Sequence, residues 1–509
     1  MRPHPDLSGT APKPTWLPIG LGSLLRLVQI WMPVVGVHSW RQADTAAMAR
    51  HFSQEGTPIW LPQIDWGGAS AGFVESEFPL YPFLVSRLYN LIGVQEWLGR
   101  GLSVLCSALT IWLVMRLGRR WFTPQVGWWA GMAFALAPLG VYYGRTFQAE
   151  ALLVLCAAGS LETHSIFVER RKAWALSLSW ICFTGAALIK VIPLLWLGLP
   201  LLLVQLTPSP RAKAESLEQM LRRLLRLTLN PWFWVYVSTA LAVTSAWYVH
   251  AYQLGEASGL TFGFWGEDSD RSNIGLALNL SSWVNLAIRT GLRALVVTGV
   301  PLLMIGTMRC WRFGGGRIAL GGAVGMLICT VATMRSSTVH EYYQFPFLLF
   351  SSPLVGLGWE TIQHKQRRWT IQILLSITLI ASLSILSIDY WAVETRQRST
   401  WMPLAESIRK EIPVNARVVS VTDSDPTLLN LARRQGWIIP SRELTMDKLK
   451  ELKNDGASFL TGSLNWRNTY TPMQEAESNR IRELIQAHNI SFIDNKEETY
   501  LIPIKNLIP

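Results

Sequence analysis

The sequence has few charged residues and no motif of nucleotide chemistry. Only 16% of its 509 residues are Asp, Glu, Lys or Arg, whereas 50% are hydrophobic. So low a fraction of charged residues argues against a chain built of several soluble domains. There is no P-loop, no GxGxxG pattern and no HExxH pattern, so neither a cytoplasmic nucleotide donor nor a zincin-type metal site has support.

Cysteine is scarce, and its positions argue against a disulfide framework. None of the five cysteines lies in a long polar region, and their spacing matches no metal-binding pattern. We therefore expect free thiols inside hydrophobic segments. The residues are Cys106, Cys156, Cys182, Cys310 and Cys329.

Long apolar runs dominate the first four-fifths of the chain. Each is close to the ~20 residues that a helix needs to cross a bilayer. They predict an α-helical polytopic membrane protein with about eleven transmembrane helices. Lys190 and Pro193 interrupt what would otherwise be one long helix. The segments lie near 17–37, 97–115, 125–142, 147–168, 173–189, 191–207, 232–249, 290–308, 318–334, 343–359 and 370–391.

The basic residues predict the orientation of the chain. The net charge is +12, but the part after Arg396 is nearly balanced, so most of the excess lies among the apolar segments. Every second loop there is basic, which marks those loops as cytoplasmic. We expect residues 1–16 to be a cytoplasmic N-terminus and 17–394 a transmembrane domain with its first outer loop at 38–96. The first apolar stretch has no cleavage site and is interpreted as a retained helix, in an inner membrane.

Strand-like and helix-like patterns alternate after about residue 395. Short β-branched runs are separated by amphipathic segments, which is typical of a small α/β domain. An odd number of crossings would put this domain, residues 395–509, outside the cytoplasm. Asp423 and Asp425 follow its first predicted strand, where capping of a helix before Pro426 is more common than ligand binding.

Ionisable and phenolic residues concentrate in the predicted outer loops. Such groups are costly at membrane level and tend to mark function. They come from four separate loops but map to one predicted face of the bilayer, which predicts a shared site. The candidates are Arg41, Asp44, Glu75, Glu77, Arg145, Glu150, Lys190, His340, Tyr342 and Tyr343.

Each candidate also has an ordinary structural explanation. Arg41 and Asp44 are three residues apart and would meet on one helix face. Glu150 would be favoured by a helix dipole at an N-terminus. Lys190 can extend to the membrane interface, and Tyr342 with Tyr343 suits an aromatic belt.

Transfer from a lipid-phosphate donor suits this set of groups. Cations and phenols can hold a phosphate as it leaves and gains charge. A carboxylate can take the proton of an acceptor hydroxyl. A second carboxylate can position the acceptor or a divalent ion, so a metal cofactor is compatible with the sequence although no ligand spacing requires one.

The order of several motifs resembles the GT-C fold glycosyltransferases that use polyprenyl-phosphate sugars. The resemblance is to the protein O-mannosyltransferase-like and aminoarabinose-transferase-like enzymes, and it covers about residues 20–360. Each motif alone is weak, but their order and topology are specific together. The motifs are ESEFPLYP (75–82), GRGLSVL (99–105), RLGRRWF (116–122), APLGVYYGRTFQAEALL (137–153), GAALIKVIPLL (185–195) and HEYYQFPFLLF (340–350).

The resemblance implies an inverting transferase with its site at the outer face. Asp44 matches the expected catalytic carboxylate, and Glu150 matches a second acid. Lys190 matches a lysine that contacts lipid phosphate, and the HEYYQ segment at 340–344 lies near it. Glu77 matches an acid that lies close to a metal in some relatives. Arg145, His340, Tyr342 and Tyr343 are further candidates for the donor phosphate, and Arg41 and Glu75 for the acceptor side of the loop.

Two departures from the family pattern affect these roles. Many relatives have an Asp-Glu pair in the first loop, where this chain has Asp44-Thr45. Many have Lys-Gly where this chain has Lys190-Val191. Both departures affect chiefly the prediction of donor specificity. The sequence leaves open whether the transferred sugar is a hexose or a pentose.

Other classes of function remain open from the sequence. A transporter or lipid flippase would carry ionisable groups near mid-membrane and repeated halves, and neither pattern is evident. A non-catalytic assembly subunit would use its C-terminal domain to bind a partner. For the transferase, we expect as partners a polyprenyl-phosphate sugar, an extracytoplasmic acceptor and membrane lipids, but no nucleic acid.

Overall fold

The protein is described by a computed structural model over residues 14–212, 216–262, 274–464, 475–487, 493 and 498–508. Helices follow one another up to residue 411, and a small sheet follows them. Within this description the helices are α1 (Trp16–Leu27), α2 (Ser39–Gln54), α3 (Leu80–Ile92), α4 (Glu96–Trp121), α5 (Pro124–Leu136), α6 (Pro138–Tyr143), α7 (Glu150–Arg170), α8 (Ala173–Ile189), α9 (Pro193–Trp196), α10 (Gly198–Leu206), α11 (Leu217–Thr228), α12 (Pro231–Ser258), α13 (Ile274–Leu278), α14 (Leu280–Arg289), α15 (Gly299–Cys310), α16 (Gly314–Ala332), α17 (Met334–Val339), α18 (Leu348–Gln363), α19 (Arg368–Ile385), α20 (Ala392–Glu411), α21 (Thr427–Ala432), α22 (Met446–Asn454) and α23 (Glu475–Ala487).

The chain is a polytopic helical membrane protein. Five helical stretches in the described part are long and apolar enough to cross a membrane, and a bent pair, α14 with α15, would make a sixth. All eleven predicted segments contain helix, but several are short or broken. The predicted number of crossings therefore stays a prediction. The five stretches are Glu96–Trp121, Glu150–Arg170, Gly314–Ala332, Glu341–Gln363 and Arg368–Glu411.

The centre of the bundle is formed by α4, α5, α7 and α18. Large side chains fill it, and Trp121 and Trp129 are almost fully buried. Small residues allow the closest approaches between helices, as is common in membranes. A Cβ atom on Gly306 of α15 would lie 1.9 Å from the carbonyl oxygen of Leu354 in α18. The two helices therefore pack backbone to backbone at this point.

The first predicted outer loop contains two helices that the hydropathy pattern did not predict. Helix α2 carries the polar sequence SWRQADTAAMARHFSQ, and most of its residues are nonetheless buried. Helix α3 places Tyr81 and Val85 in the main core. Because α2 is covered by other protein segments rather than by lipid, it lacks the apolar character of a transmembrane helix.

The C-terminal α/β domain contains a four-stranded sheet in the order β2-β1-β3-β4. The central pairs β1–β2 and β1–β3 are parallel, and β3–β4 is antiparallel. The predicted α/β character is thereby confirmed. The strands are β1 (Arg417–Val421), β2 (Gly436–Ile438), β3 (Ala457–Ser463) and β4 (Thr499–Pro503).

This domain packs directly on the first predicted outer loop. The backbone N–H of Gly436 donates to the carbonyl of Asp65 at 2.9 Å, and the N–H of Gly68 donates to the carbonyl of Gly436 at 2.8 Å. The hydroxyls of Thr427 and Ser39 lie 3.0 Å apart, which joins α21 to the start of α2. The α/β domain thus covers one side of α2.

Candidate functional site

Asp44 lies inside α2, buried beneath the loop that follows it. Its side chain is 2% exposed, and its Oδ1 accepts a hydrogen bond of 2.9 Å from the indole N–H of Trp66. Asp44 and Arg41 share a helix face, as their spacing predicts, but the guanidinium of Arg41 pairs with Glu77 instead. The carboxylate of Asp44 is therefore held by an indole rather than neutralised by a salt bridge.

Burial raises the pKa of Asp44 to about 7. The hydrogen bond from Trp66 and the positive charge of Arg41 act in the opposite direction, and the nearby carboxylates of Asp65 and Asp425 add to the rise. A carboxylate that titrates near neutral pH can both accept a proton from a substrate and release it afterwards. This is the property that a general base needs.

Arg41 and Glu77 form an ion pair that joins α2 to the segment before α3. Both side chains keep 16% of their surface exposed. The guanidinium carbon of Arg41 also lies 5.2 Å from the ring centroid of Phe262, in a cation–π arrangement. Arg41 is thus fixed in place and still partly accessible.

Glu150 and Lys190 form a second ion pair, at the ends of two different helices. Glu150 is the first residue of α7, and Lys190 follows α8 in an extended conformation before Pro193 opens α9. The Nζ of Lys190 lies 2.5 Å from Oε1 of Glu150. Since Pro193 prevents continuous helix, the break turns the lysine side chain toward Glu150.

Aromatic rings of the HEYYQ segment lie against this pair. The Nζ of Lys190 is 4.6 Å from the ring centroid of Tyr342 and 5.1 Å from that of Tyr343. His340 stacks on Tyr342 at 5.3 Å, and His38 meets the edge of Tyr342 at 5.2 Å. Burial lowers the pKa of His38 to about 4, so its ring is neutral at pH 7.

Arg41 connects the two ion pairs to Asp44. It interacts electrostatically with Glu77, Tyr342, Glu150 and Asp44. Lys190 in turn interacts with Glu150, Glu77, Tyr343 and Arg41. The structure therefore brings a buried carboxylate, two cations, two further carboxylates and two phenols into one cluster, from four separate chain segments. We call it the Asp44 cluster: Arg41, Asp44, Glu77, Glu150, Lys190, His340, Tyr342 and Tyr343.

Arg145, predicted to bind phosphate, has other partners. It is fully buried and forms an ion pair with Glu394, which Arg100 also contacts at 3.4 Å. Its role in phosphate binding stays a prediction, and the geometry favours a structural one. These contacts tie the long α19–α20 stretch to the bundle.

Glu75, predicted on the acceptor side, points toward another segment. Its carboxylate accepts a hydrogen bond from the Thr261 hydroxyl, and its backbone N–H donates to the carbonyl of Leu260 at 3.0 Å. Glu75 is 3% exposed. Glu75 thereby holds the segment after α12 against the first predicted outer loop, close to the contact between Phe262 and Arg41. Its acceptor role stays a prediction.

Among the residues near the cluster, Trp66 was not predicted from the sequence, and Glu341 was predicted only as part of the HEYYQ segment. Trp66 contacts Asp44 from a Gly/Pro-rich stretch without periodicity. Glu341 receives a hydrogen bond of 2.8 Å from the Tyr143 hydroxyl and pairs with Arg293. An acid within HEYYQ was a signal for Glu341, but its partners are far away in sequence. Asp425 accepts from the N–H of Thr427, the first residue of α21, at 2.9 Å; it lies one residue before the N-cap position, which Pro426 occupies.

The predicted metal role of Glu77 finds no supporting geometry. Its carboxylate is paired with Arg41, and among the residues that the structure describes no three His, Cys, Asp or Glu side chains gather as a metal-ligand set. One carboxylate that already faces a guanidinium does not fit a divalent ion. The metal role of Glu77 therefore stays a prediction.

Residues 76–250 match the family described as dolichyl-phosphate-mannose-protein mannosyltransferase. The structure of ArnT from Cupriavidus metallidurans bound to undecaprenyl phosphate is similar over 96% of this chain and 97% of that one, with a TM-score of 0.62 and 14% identity. The chain has the GT-C fold. No curated protein sequence matches it.

Two other GT-C structures are similar. The oligosaccharyltransferase AglB from Archaeoglobus fulgidus, in complex with an inhibitory peptide and a dolichol-phosphate, gives a TM-score of 0.53 at 12% identity, over 89% of this chain and 69% of that one. The mycobacterial arabinofuranosyltransferase AftD gives 0.52 at 15% identity, over 91% and 36%. The matched family segment holds Glu77, Glu150 and Lys190 but ends before the HEYYQ segment.

Proposed function

We propose that the protein is an integral-membrane glycosyltransferase that moves a sugar from a polyprenyl-phosphate carrier to an extracytoplasmic acceptor. The observation that carries the proposal is that Arg41, held by Glu77, interacts electrostatically both with the buried Asp44 carboxylate and with Glu150 of the Glu150–Lys190 pair. A base and phosphate-binding cations are thereby gathered in one place. The GT-C fold and the mannosyltransferase match over 76–250 support the same reaction.

Asp44 is the general base in this reaction. Its carboxylate takes the proton of an acceptor hydroxyl as that oxygen forms a bond to the anomeric carbon of the sugar. The bond between the anomeric carbon and the phosphate oxygen breaks on the opposite side, so the configuration inverts. The polyprenyl phosphate leaves with the bonding electron pair, and Asp44 later returns its proton to solvent.

Lys190 and Arg41 stabilise the phosphate as its negative charge grows. Cations that are already in place when charge develops lower the barrier without reorganising. Glu150 holds the ammonium of Lys190, and Glu77 holds the guanidinium of Arg41. Tyr342 and Tyr343 place phenol rings beside the lysine. The sugar is a hexose or a pentose, and its carrier is a polyprenyl or dolichyl phosphate.

The test uses purified full-length protein and a labelled polyprenyl-phosphate sugar. Asp44→Asn keeps the hydrogen bond from Trp66 but cannot take a proton, so we expect sugar transfer to fall about 10²–10⁴-fold. Asp423→Asn is the matched control, because Asp423 lies in the α/β domain that covers α2 but outside the Asp44 cluster. We expect this variant to keep full transfer. Unchanged turnover in Asp44→Asn would remove Asp44 from the mechanism.

A transporter or flippase is separated from this function by the same preparation in proteoliposomes. Movement of the lipid-linked sugar across the bilayer, with its sugar–phosphate bond intact, would favour that alternative. Release of polyprenyl phosphate in step with glycosylated acceptor supports the transferase.

A further inference from the structure

A polar cavity lies at the opposite end of helix α7 from Glu150. Helix α7 begins at Glu150 and ends at Arg170, and the cavity contains Glu162, Glu169 and Arg170 from its last turns. At 1.5 Å per residue, Glu169 is about 28 Å from Glu150 along the helix. That distance is close to the thickness of a bilayer core, ~30 Å. The cavity therefore faces the opposite side of the membrane from the Asp44 cluster.

The cavity is concave and strongly basic. It has a volume of about 450 Å³ and is lined by five arginines but only two glutamates. Glu162 is buried and fixes two of the arginines: Arg116 Nε donates to it at 2.8 Å, and Arg120 donates through Nε and Nη2 at 3.1 and 2.8 Å. Two arginines are thus set in fixed directions by a single carboxylate.

The other three arginines carry the excess charge. They are Arg119, Arg170 and Arg211, and none forms an ion pair with a carboxylate within the described part of the chain. Arg211 donates from Nε to the carbonyl of Arg119 at 3.0 Å. Its two terminal nitrogen atoms take no part in this hydrogen bond. Three guanidinium groups around one cavity form a site for an anion with several oxygen atoms.

The wall opposite α4 and α7 is a fixed loop. The N–H of Gly314 donates to the carbonyl of Ala212 at 2.9 Å, and the N–H of Gly315 donates to that of Pro210 at 2.7 Å. A Cβ atom on Gly315 would lie 2.5 Å from the carbonyl oxygen of Trp121. Only glycine permits this approach, so the loop is held against α16 and the cavity keeps its shape.

We propose that this cavity, the arginine cavity, binds the phosphate group of an anionic phospholipid at the membrane face opposite the candidate active site. Basic cavities between transmembrane helices are suited to lipid headgroups because acyl chains can lie along the adjoining helices. The neighbouring helix α11 is amphipathic and basic, with Leu217, Leu221 and Leu225 exposed on its surface. It is suited to lie on the membrane surface beside the cavity.

The test measures lipid binding to full-length protein by native mass spectrometry in a zwitterionic detergent. The probes are phosphatidylglycerol, diacylglycerol, which lacks the phosphate, and inorganic phosphate as a competitor. The triple variant Arg119→Gln/Arg170→Gln/Arg211→Gln removes three charges but no carboxylate ion pair. The matched control, Arg312→Gln/Arg367→Gln/Arg368→Gln, removes three exposed charges outside both the cavity and α11.

We expect phosphatidylglycerol to bind and diacylglycerol not to bind. The cavity variant should lose at least tenfold in affinity, whereas the control should stay within twofold. Displacement of the bound lipid by inorganic phosphate would show that the phosphate group carries the recognition. Binding of inorganic phosphate without binding of phosphatidylglycerol would identify free phosphate as the ligand and overturn the lipid proposal.

Equal losses of lipid affinity in the two triple variants would show that binding depends only on general surface charge, which would overturn the proposal. Affinity within twofold of the parent in the cavity variant would overturn it as well. If the triple variant fails to fold, Arg211→Gln alone, in the loop, should still lower affinity at least threefold. Sugar transfer is not the readout, so failure here leaves the proposed function untouched.

Discussion

The Nζ atom of Lys190 lies 2.5 Å from Oε1 of Glu150, and Glu150 and Lys190 are only 3% and 7% exposed. Lys190→Met would leave the carboxylate buried without its partner, which typically costs ~3–5 kcal/mol. We expect a clear fall in unfolding temperature together with loss of sugar transfer. The double variant Lys190→Met/Glu150→Gln should recover most of the stability but none of the transfer. Recovery of transfer in the double variant would show that the pair is only structural.

The pH dependence of transfer should report the ionisation of Asp44. A general base must be deprotonated, and burial raises the pKa of this carboxyl to about 7. We therefore expect kcat/KM to rise about tenfold per pH unit below that value and to level off above it. The measurement is a pH series of initial rates at low donor concentration, with unfolding temperature recorded at each pH. A flat profile between pH 5 and 8 would contradict the assignment.

The indole of Trp66 should tune that ionisation. Its N–H donates to the Asp44 carboxylate at 2.9 Å, and a hydrogen bond to a charged group favours the charged form. Trp66→Phe keeps an aromatic ring but removes the donor, so the midpoint of the pH–rate profile should move upward by roughly 1 unit. Trp437→Phe, in the facing strand β2, serves as the control and should leave the midpoint in place. A downward shift in Trp66→Phe would refute the argument.

Asp44→Asn should make the folded protein more stable at high pH. Because the folded pKa is raised, the native state binds more protons than the unfolded state between about pH 4 and 7. Stability therefore falls as the pH rises through this window. Asp44→Asn has no carboxylate to ionise and therefore avoids this loss. Above pH 7 its free energy of unfolding should exceed that of the parent by on the order of a few kcal/mol. Thermal unfolding at pH 5 and pH 8 should show the larger gain at pH 8. A variant that is less stable at both values would indicate that the carboxylate is stabilising.

Arg145→Gln should separate structure from phosphate binding. Within the described residues it would leave the fully buried Glu394 with Arg100, at 3.4 Å, as its one ion-pair partner, so we expect a loss of ~3–5 kcal/mol in unfolding free energy. The donor KM of the folded fraction should change less than twofold. A stable variant with a tenfold higher donor KM would instead support the phosphate-binding role that the sequence suggested.

Much of the fold follows from local patterns. Long apolar runs form helices whatever their neighbours in the fold, because the backbone N–H and C=O groups of a segment in lipid must form their hydrogen bonds within that segment. The β-branched runs after residue 395 give a sheet for equally local reasons. Helix α2 is absent from the predicted apolar segments, because burial against both α3 and the α/β domain leaves it without the one-sided apolar stripe on which helix prediction relies.

The residue types of the Asp44 cluster, and their concentration in the predicted outer loops, are properties of the sequence alone. Which of them touch was decided only by tertiary structure. Arg41 pairs with Glu77 across 36 residues rather than with Asp44 three residues away, Lys190 reaches Glu150, and Arg145 is drawn to Glu394, 249 residues away. Such pairings depend on how helices pack in three dimensions, because a charge in a low-dielectric interior must find whichever partner the packing places beside it.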